Sequence, residues 1–131
     1  MEQQQYLIDT NAVVDYIGNK LPMDGMAFMN NVIDNVPFVS IITKIEVLGF
    51  TTLDKHYKLL TDFMDDAIIF TLSNEIVDTC IELRKKYKIK LPDAIIAATA
   101  LSQNLVLISR NDKDFKKIYE LQLFNPWNAS T

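Results

Sequence analysis

Asp93-Ala94-Ile95-Ile96-Ala97-Ala98-Thr99-Ala100-Leu101-Ser102-Gln103-Asn104-Leu105-Val106-Leu107-Ile108 is the stretch that decides the fold. Its first half, restarted as a helix by Pro92, is apolar almost all round, and such a helix must be covered on most sides. Its second half, residues 105–108, is a strand with no polar face, as expected of a central parallel strand with helices on both faces. Upstream, Tyr6-Leu7-Ile8-Asp9 reads as a short buried strand that stops at an acid. A helix over 11–17 follows, ended by Gly18, and a second over 24–35 places Met26, Met29, Val32 and Ile33 on one face. Residues 37–40 read as a strand, 43–50 and 53–64 as helices, and 67–71 as a third strand. Residues 74–87 carry Ile76, Val77, Cys80, Ile81, Arg84 and Tyr87 in helical register, with acids early and bases late, as suits the helix dipole. A short helix over 112–119 and a strand over 121–124 complete the chain. Strands alternating with helices predict one three-layer α/β/α domain over 1–131, with a mainly parallel sheet of four to five strands.

The 131 residues suffice for one domain that removes about two-thirds of its extended-chain surface from water. Apolar residues are 49% of the chain and only three glycines and four prolines interrupt it, so long disordered stretches are not expected. No apolar run reaches the roughly 18 residues of a membrane span, and Met1-Glu2-Gln3-Gln4-Gln5 lacks the regions of a signal peptide, so a cytoplasmic protein without membrane contact is expected. Cys80 and His56 are each alone. Two-histidine ribonuclease, Ser-His-Asp hydrolase and thiolate-zinc chemistries are thereby excluded. Cys80 lies on an apolar stripe and reads as a buried structural thiol.

Three places along the chain put acids where an open parallel sheet binds ligands, beyond the C-terminal ends of its strands. Asp9 ends the first strand, Glu46 follows the second, and Asp112 and Asp114 follow the strand ending at Ile108; Asp93 opens the apolar helix. Each acid also has a local reading. Asp9 or Asn11 would cap the next helix. Thr43-Lys44-Ile45-Glu46 has the form of a capping box. Asp93 after Pro92 would complement the positive end of its helix, and Asp112 and Asp114 would start the next one. Together, however, four carboxylates on one rim repel by several kcal/mol unless protonated or neutralised by a cation. Oxygen ligands without Cys or His suit Mg²⁺ or Mn²⁺, which turn water into a nucleophile and stabilise charge on a phosphodiester.

These residues carry a resemblance. Leu7-Ile8-Asp9-Thr10-Asn11 resembles the opening D-T-N of PIN domains, Ser40-Ile41-Ile42-Thr43-Lys44-Ile45-Glu46-Val47 their second acidic motif, and Leu91-Pro92-Asp93-Ala94-Ile95-Ile96-Ala97-Ala98-Thr99-Ala100 their third. Leu107-Ile108-Ser109-Arg110-Asn111-Asp112-Lys113-Asp114-Phe115 looks like the fourth, and Phe124-Asn125-Pro126-Trp127 like the closing N-P-W of VapC-type toxins. The likeness runs from Tyr6 to Trp127, and five motifs in order are specific where one D-T-N is not. It implies a PIN-like fold and an endoribonuclease, the VapC-like toxin of a type II toxin–antitoxin pair. By the same resemblance, Asp9, Glu46, Asp93 and one acid of the fourth motif, Asp114 before Asp112, would hold Mg²⁺ or Mn²⁺, and RNA would be left with 5′-phosphate and 3′-hydroxyl ends. Asn11 and Ser109 would orient those ligands. A homodimer and a small antitoxin whose tail enters the acidic cleft are further implications.

The net charge of −4 at first opposes a nucleic-acid partner. Its distribution does not. One run holds Arg84, Lys85, Lys86, Lys88 and Lys90, another Arg110, Lys113, Lys116 and Lys117, leaving Lys20, Lys44, Lys55 and Lys58 elsewhere. Taken singly, each run is a solvated helix face. Because one ends just before Asp93 and the other surrounds Asp112 and Asp114, Lys85, Lys86, Lys88, Lys90, Arg110 and Lys113 are expected to contact RNA phosphates. A response-regulator receiver would need paired acids after the first strand and an aspartate after the third, and a haloacid-type phosphatase needs D-x-D-x-T; neither pattern is present. The alternative is a PIN-like fold acting only as a non-catalytic RNA- or protein-binding module.

Overall fold

A computed structural model of the chain describes residues 4–129. The outermost residues of the domain expected over 1–131, among them positions 1–3 read above for a leader, lie outside the described residues. The order of elements is β1 (Tyr6–Ile8), α1 (Thr10–Ile17), α2 (Met23–Asn35), β2 (Phe38–Ser40), α3 (Ile41–Leu48), α4 (Asp54–Asp66), β3 (Ile68–Phe70), α5 (Asn74–Lys86), α6 (Leu91–Ser102), β4 (Val106–Ile108), α7 (Asp112–Phe115) and β5 (Leu123–Phe124), closed by a 3₁₀ turn at Pro126–Asn128. The strands form one five-stranded sheet in the order β3-β2-β1-β4-β5. Every pairing is parallel, with Leu7 opposite Leu107 and Ile8 opposite Ile108 at the centre.

Successive strand side chains enter opposite faces, and this divides the core in two. Leu7 and Leu107 join Ile76, Cys80, Leu83, Ile96 and Phe115 beneath α5 and α6. Ile8, Val39 and Ile108 join Val13, Met29, Val47 and Leu60 beneath α1 to α4. The sheet is therefore the middle of three layers. Positions 94–100 of α6 are all buried, so this helix has the covered environment its composition demands. Burying a side chain of the size of Ile96 stabilises by roughly 1.5–3 kcal/mol. Cys80 is buried in the same core, and burial raises its thiol pKa, which leaves it a packing residue. Among the described residues no helix is long and apolar enough to cross a membrane.

Most boundaries shift by a residue or two, and the larger differences from the sequence reading, at α3 and from α7 to β5, have local reasons. Helix α3 starts at Ile41 and not Thr43, because the Ser40 hydroxyl accepts from the Ile42 amide at 3.1 Å and caps it two residues earlier. Thr43 is thus inside the helix and buried, and the Thr43–Glu46 capping box does not form. Helix α7 ends at Phe115 and not at Tyr119. Phe115, Ile118 and Leu121 all enter the core beneath α6, and that spacing of three suits tight turns, with Ile118 N–H donating to Phe115 and Leu121 N–H to Ile118. The strand expected over 121–124 shortens accordingly to Leu123–Phe124.

Candidate functional site

The chain leaves β1 toward β2 on one side of it, while β4 lies on the other. This is a switch point, where the crevice beyond the strand ends accepts ligands. Asp9 and Ser109 stand side by side there. The Asp9 amide donates to the Ile108 carbonyl at 2.9 Å, and the Ser109 amide to the Phe124 carbonyl at 3.0 Å. Asp9 is at once the N-cap of α1 and a buried acid. Its Oδ1 accepts from the Thr10 amide at 2.8 Å, and its Oδ2 from the Ser109 hydroxyl at 2.8 Å and Asn11 Nδ2 at 3.1 Å. Asn11 is itself fixed, because its Oδ1 accepts from the Arg110 amide at 2.9 Å. Burial lifts the Asp9 carboxyl from an ordinary aspartate's 3.8 to about 6; the Ser109 and Thr10 hydrogen bonds oppose the rise, and the charges of Asp93 and Glu46 add to it.

Glu46 is exposed on α3, and its Oε1 accepts from the Thr10 hydroxyl at 2.6 Å, so the side chain faces the end of β1 and not its own helix start. Asp93 sits half-buried in the first turn of α6. Burial raises its pKa, Asp114 and Glu46 raise it further, and Lys90 and Lys117 pull it down. Asp114 Oδ2 accepts from Asn111 Nδ2 at 3.1 Å. Asp112 turns the other way, toward Asn125 Nδ2 at 3.2 Å. Among the described residues no three His, Cys, Asp or Glu side chains are grouped so as to hold a metal ion. The donor chemistry nonetheless fits a hard divalent cation. Asp9 and Asp93 hold their protons more tightly chiefly because they are buried, with neighbouring carboxylates adding to the rise, and Mg²⁺ needs only one or two carboxylates because it keeps several of its waters.

The basic residues divide. Lys88, Lys90 and Lys117 share a groove of about 350 Å³ with Ile89, Asp93 and Asp114, and Lys117 Nζ donates to the Lys88 carbonyl at 2.7 Å. Lys85 and Lys86 lie in a separate groove with Glu82, Leu101 and Glu120. There Lys85 is 3.6 Å from Glu82, and Lys86 is 3.4 Å from Glu120 and 5.3 Å from the Tyr87 ring centre. Arg110 reaches back to Asp15 at 3.2 Å, and Lys113 is exposed. The sequence reading names Thr10, Lys117 and Trp127 only as members of motifs or runs, with no role of their own, and Asp15 not at all. Asp15 offered one signal, an acid four residues after Asn11 on the same helix face.

A five-stranded, all-parallel sheet with helices on both faces defines a class, and the chain belongs to it: residues 6–121 match the PIN domain family. Among solved structures it is similar to a chain of the toxin–antitoxin complex from Klebsiella pneumoniae at 30% identity and a TM-score of 0.73, covering 93% of this chain and 98% of that one. Two further likenesses concern the fold alone. VapBC2 from Rickettsia felis, bound to a DNA fragment from its promoter, gives 24% identity and a TM-score of 0.77 over 93% of this chain and 98% of that one. DNA-bound VapBC from Salmonella typhimurium gives 19% and 0.81 over 95% and 99%. No curated protein sequence matches the chain.

Proposed function

We propose that this chain is a Mg²⁺- or Mn²⁺-dependent endoribonuclease and the toxin half of a toxin–antitoxin pair. The observation that carries the reading is the nearness of acids from four places in the sequence: Asp93 and Glu46 add to the rise that burial gives Asp9, and Asp114 and Glu46 add to the rise that burial gives Asp93. A module that only bound a partner has no need of acids placed close enough to raise one another's proton affinity, which supports catalysis over the binding-module alternative. When bound, a divalent cation would supply an activated water and stabilise charge developing on the phosphodiester. Asp9, Glu46, Asp93 and Asp114 would hold it. Ser109 and Asn11 fix the Asp9 carboxylate by three hydrogen bonds shared among them, and Thr10 fixes that of Glu46. Asp114 is preferred to Asp112 as the fourth acid because its charge acts on Asp93 and it lines the same groove, and Asp112 does neither. Lys88, Lys90 and Lys117 line the groove beside Asp93 and Asp114 and would hold RNA phosphates there.

A small antitoxin protein and a second copy of the chain are the proposed partners, the first suggested by the toxin–antitoxin complex at 30% identity. Brief induction of the protein in a bacterium, followed by sequencing of 5′-phosphate RNA ends, tests the activity. Discrete new ends should appear with the wild type and vanish with Asp93→Asn. No new ends, or the same ends with the variant, would reject the ribonuclease.

A further inference from the structure

We propose that Asn125, Trp127 and Asp15 form a brace that sets the position of the loop bearing Asp114, making Asp15 and Trp127 positioning residues for an acid site that neither of them lines. The inference rests on the metal-site reading above and concerns how that site is held.

The brace is a continuous set of contacts. Asp15 lies on α1 with its side chain 4% exposed, and its two hydrogen-bonding partners come from distant parts of the chain. The Trp127 indole donates to its Oδ2 at 2.8 Å, and Arg110 Nη1, 56% exposed on its own side chain, lies 3.2 Å from the same oxygen. Arg110 also donates its backbone amide to Asn11, one turn earlier on α1. Residue 110 thus grips the same face of α1 twice, by main chain near the acids and by side chain away from them. The C-terminal segment holds the other side of the loop: Asn125 Nδ2 donates to Asp112, and Asn125 Oδ1 accepts from the Trp127 amide at 2.9 Å. Asp114 lies two residues beyond Asp112, in the same four-residue helix.

The segment is seated tightly enough to act as a brace. A Cβ at Gly25, inside α2, would stand 2.2 Å from the Pro126 carbonyl oxygen. Glycine inside a helix is less favourable than alanine, so α2 gives up helix stability where the segment comes closest. Phe124, next to Asn125, packs on Phe28 of the same helix at 4.1 Å between ring centres.

A tie that only adds stability and a tie that positions the acids differ in what they do to the folded protein. Trp127→Phe keeps an aromatic side chain and removes the N–H; Gly25→Ala alters no side-chain hydrogen bond of the brace and displaces Pro126. Two readings are taken on each folded variant and on the wild type: hydrogen exchange of the amides of 110–116 without metal, and the affinity for Mn²⁺ alone by electron paramagnetic resonance of the free ion. The brace predicts faster exchange over 110–116 with β1 and β4 unchanged, and Mn²⁺ affinity weakened by about tenfold or more, the range for disturbing groups that orient metal ligands. Wild-type exchange over 110–116, or wild-type Mn²⁺ affinity despite lowered thermal stability, would overturn it. If the wild type itself fails to bind Mn²⁺, the metal reading falls, and unchanged exchange in Trp127→Phe would then dispose of the brace as well. Should Gly25→Ala not fold, Trp127→Phe alone decides.

Discussion

At the residue scale, Asp9 illustrates how one side chain satisfies two readings that looked exclusive. It caps α1 and it is the most buried of the four acids, because a strand that ends at a switch point hands its last carboxylate both to the next helix and to the crevice. The cost of that position is measurable. Its pKa of about 6 in the folded protein, against 3.8 for an ordinary aspartate, means that the folded state binds the proton more tightly. Stability is therefore full below pH 4 as far as this group is concerned, and is lost as pH rises through 6, by about 3 kcal/mol at most. Urea unfolding of EDTA-treated protein should show stability falling more steeply from pH 4 to 6 in wild type than in Asp9→Asn, and identical pH dependences would contradict the burial of an ionisable acid here. Asp9 was legible as an acid at a strand end and Asp93 as an acid opening an apolar helix, whereas Asn11 and Ser109 were singled out as orienting residues only through the resemblance to PIN domains. Glu46 was legible only in part: T-x-x-E looks like a capping box until Ser40 is seen to cap the helix first. Asp15 was legible only as an acid on the face of Asn11, since the sequence does not say that it will be buried against a tryptophan more than a hundred positions away.

At the scale of elements, the basic run that reads as continuous in sequence is divided by the end of α5. Lys85 and Lys86 belong to the last turn of that helix and face Glu82 and Glu120, whereas Lys88 and Lys90 lie in the connection to α6 and reach the acidic groove, where Lys117 joins them from beyond α7. Sequence proximity to Asp93 could not make this distinction, because the direction of a lysine depends on where its helix stops. The consequence is a difference in salt dependence. With a non-cleavable single-stranded RNA, replacing Lys88, Lys90 and Lys117 by alanine should weaken binding and lower the slope of log K against log salt by about 2, from roughly 0.7 per phosphate contact. Lys85→Ala with Lys86→Ala should leave the slope near wild type. The reverse pattern, read from binding titrations at several salt concentrations, would move the RNA path to the Glu120 groove. Helix α7 gives the complementary lesson. Asp112 to Phe115 was legible as a helix start, but a core contact every third residue ended it early.

At the scale of the whole molecule, the fold was legible because its two strongest signals agree: an all-apolar helix and an all-apolar strand have no stable place except the middle of a layered α/β/α domain. The all-parallel order β3-β2-β1-β4-β5 then brings the ends of β1 and β4 together, so that Asp9 and Ser109, 100 positions apart, meet in a hydrogen bond. Net charge misleads at this scale. A total of −4 hides a groove in which Lys88, Lys90 and Lys117 stand beside Asp93 and Asp114. The central claim is that these acids act together through a divalent cation on RNA, and Glu46→Gln isolates it. Glutamine can still accept the Thr10 hydrogen bond now made at 2.6 Å, but it carries no charge for a hard cation. The measurement is cleavage of single-stranded RNA by EDTA-stripped protein as Mn²⁺ is added back, with Asp93→Asn as the control for contaminating ribonuclease. The account predicts no cleavage without metal, 5′-phosphate ends on adding Mn²⁺ to wild type, and rates lower by orders of magnitude in a Glu46→Gln protein that is as stable as wild type. Cleavage undiminished by EDTA, or wild-type rates in Glu46→Gln, would contradict it.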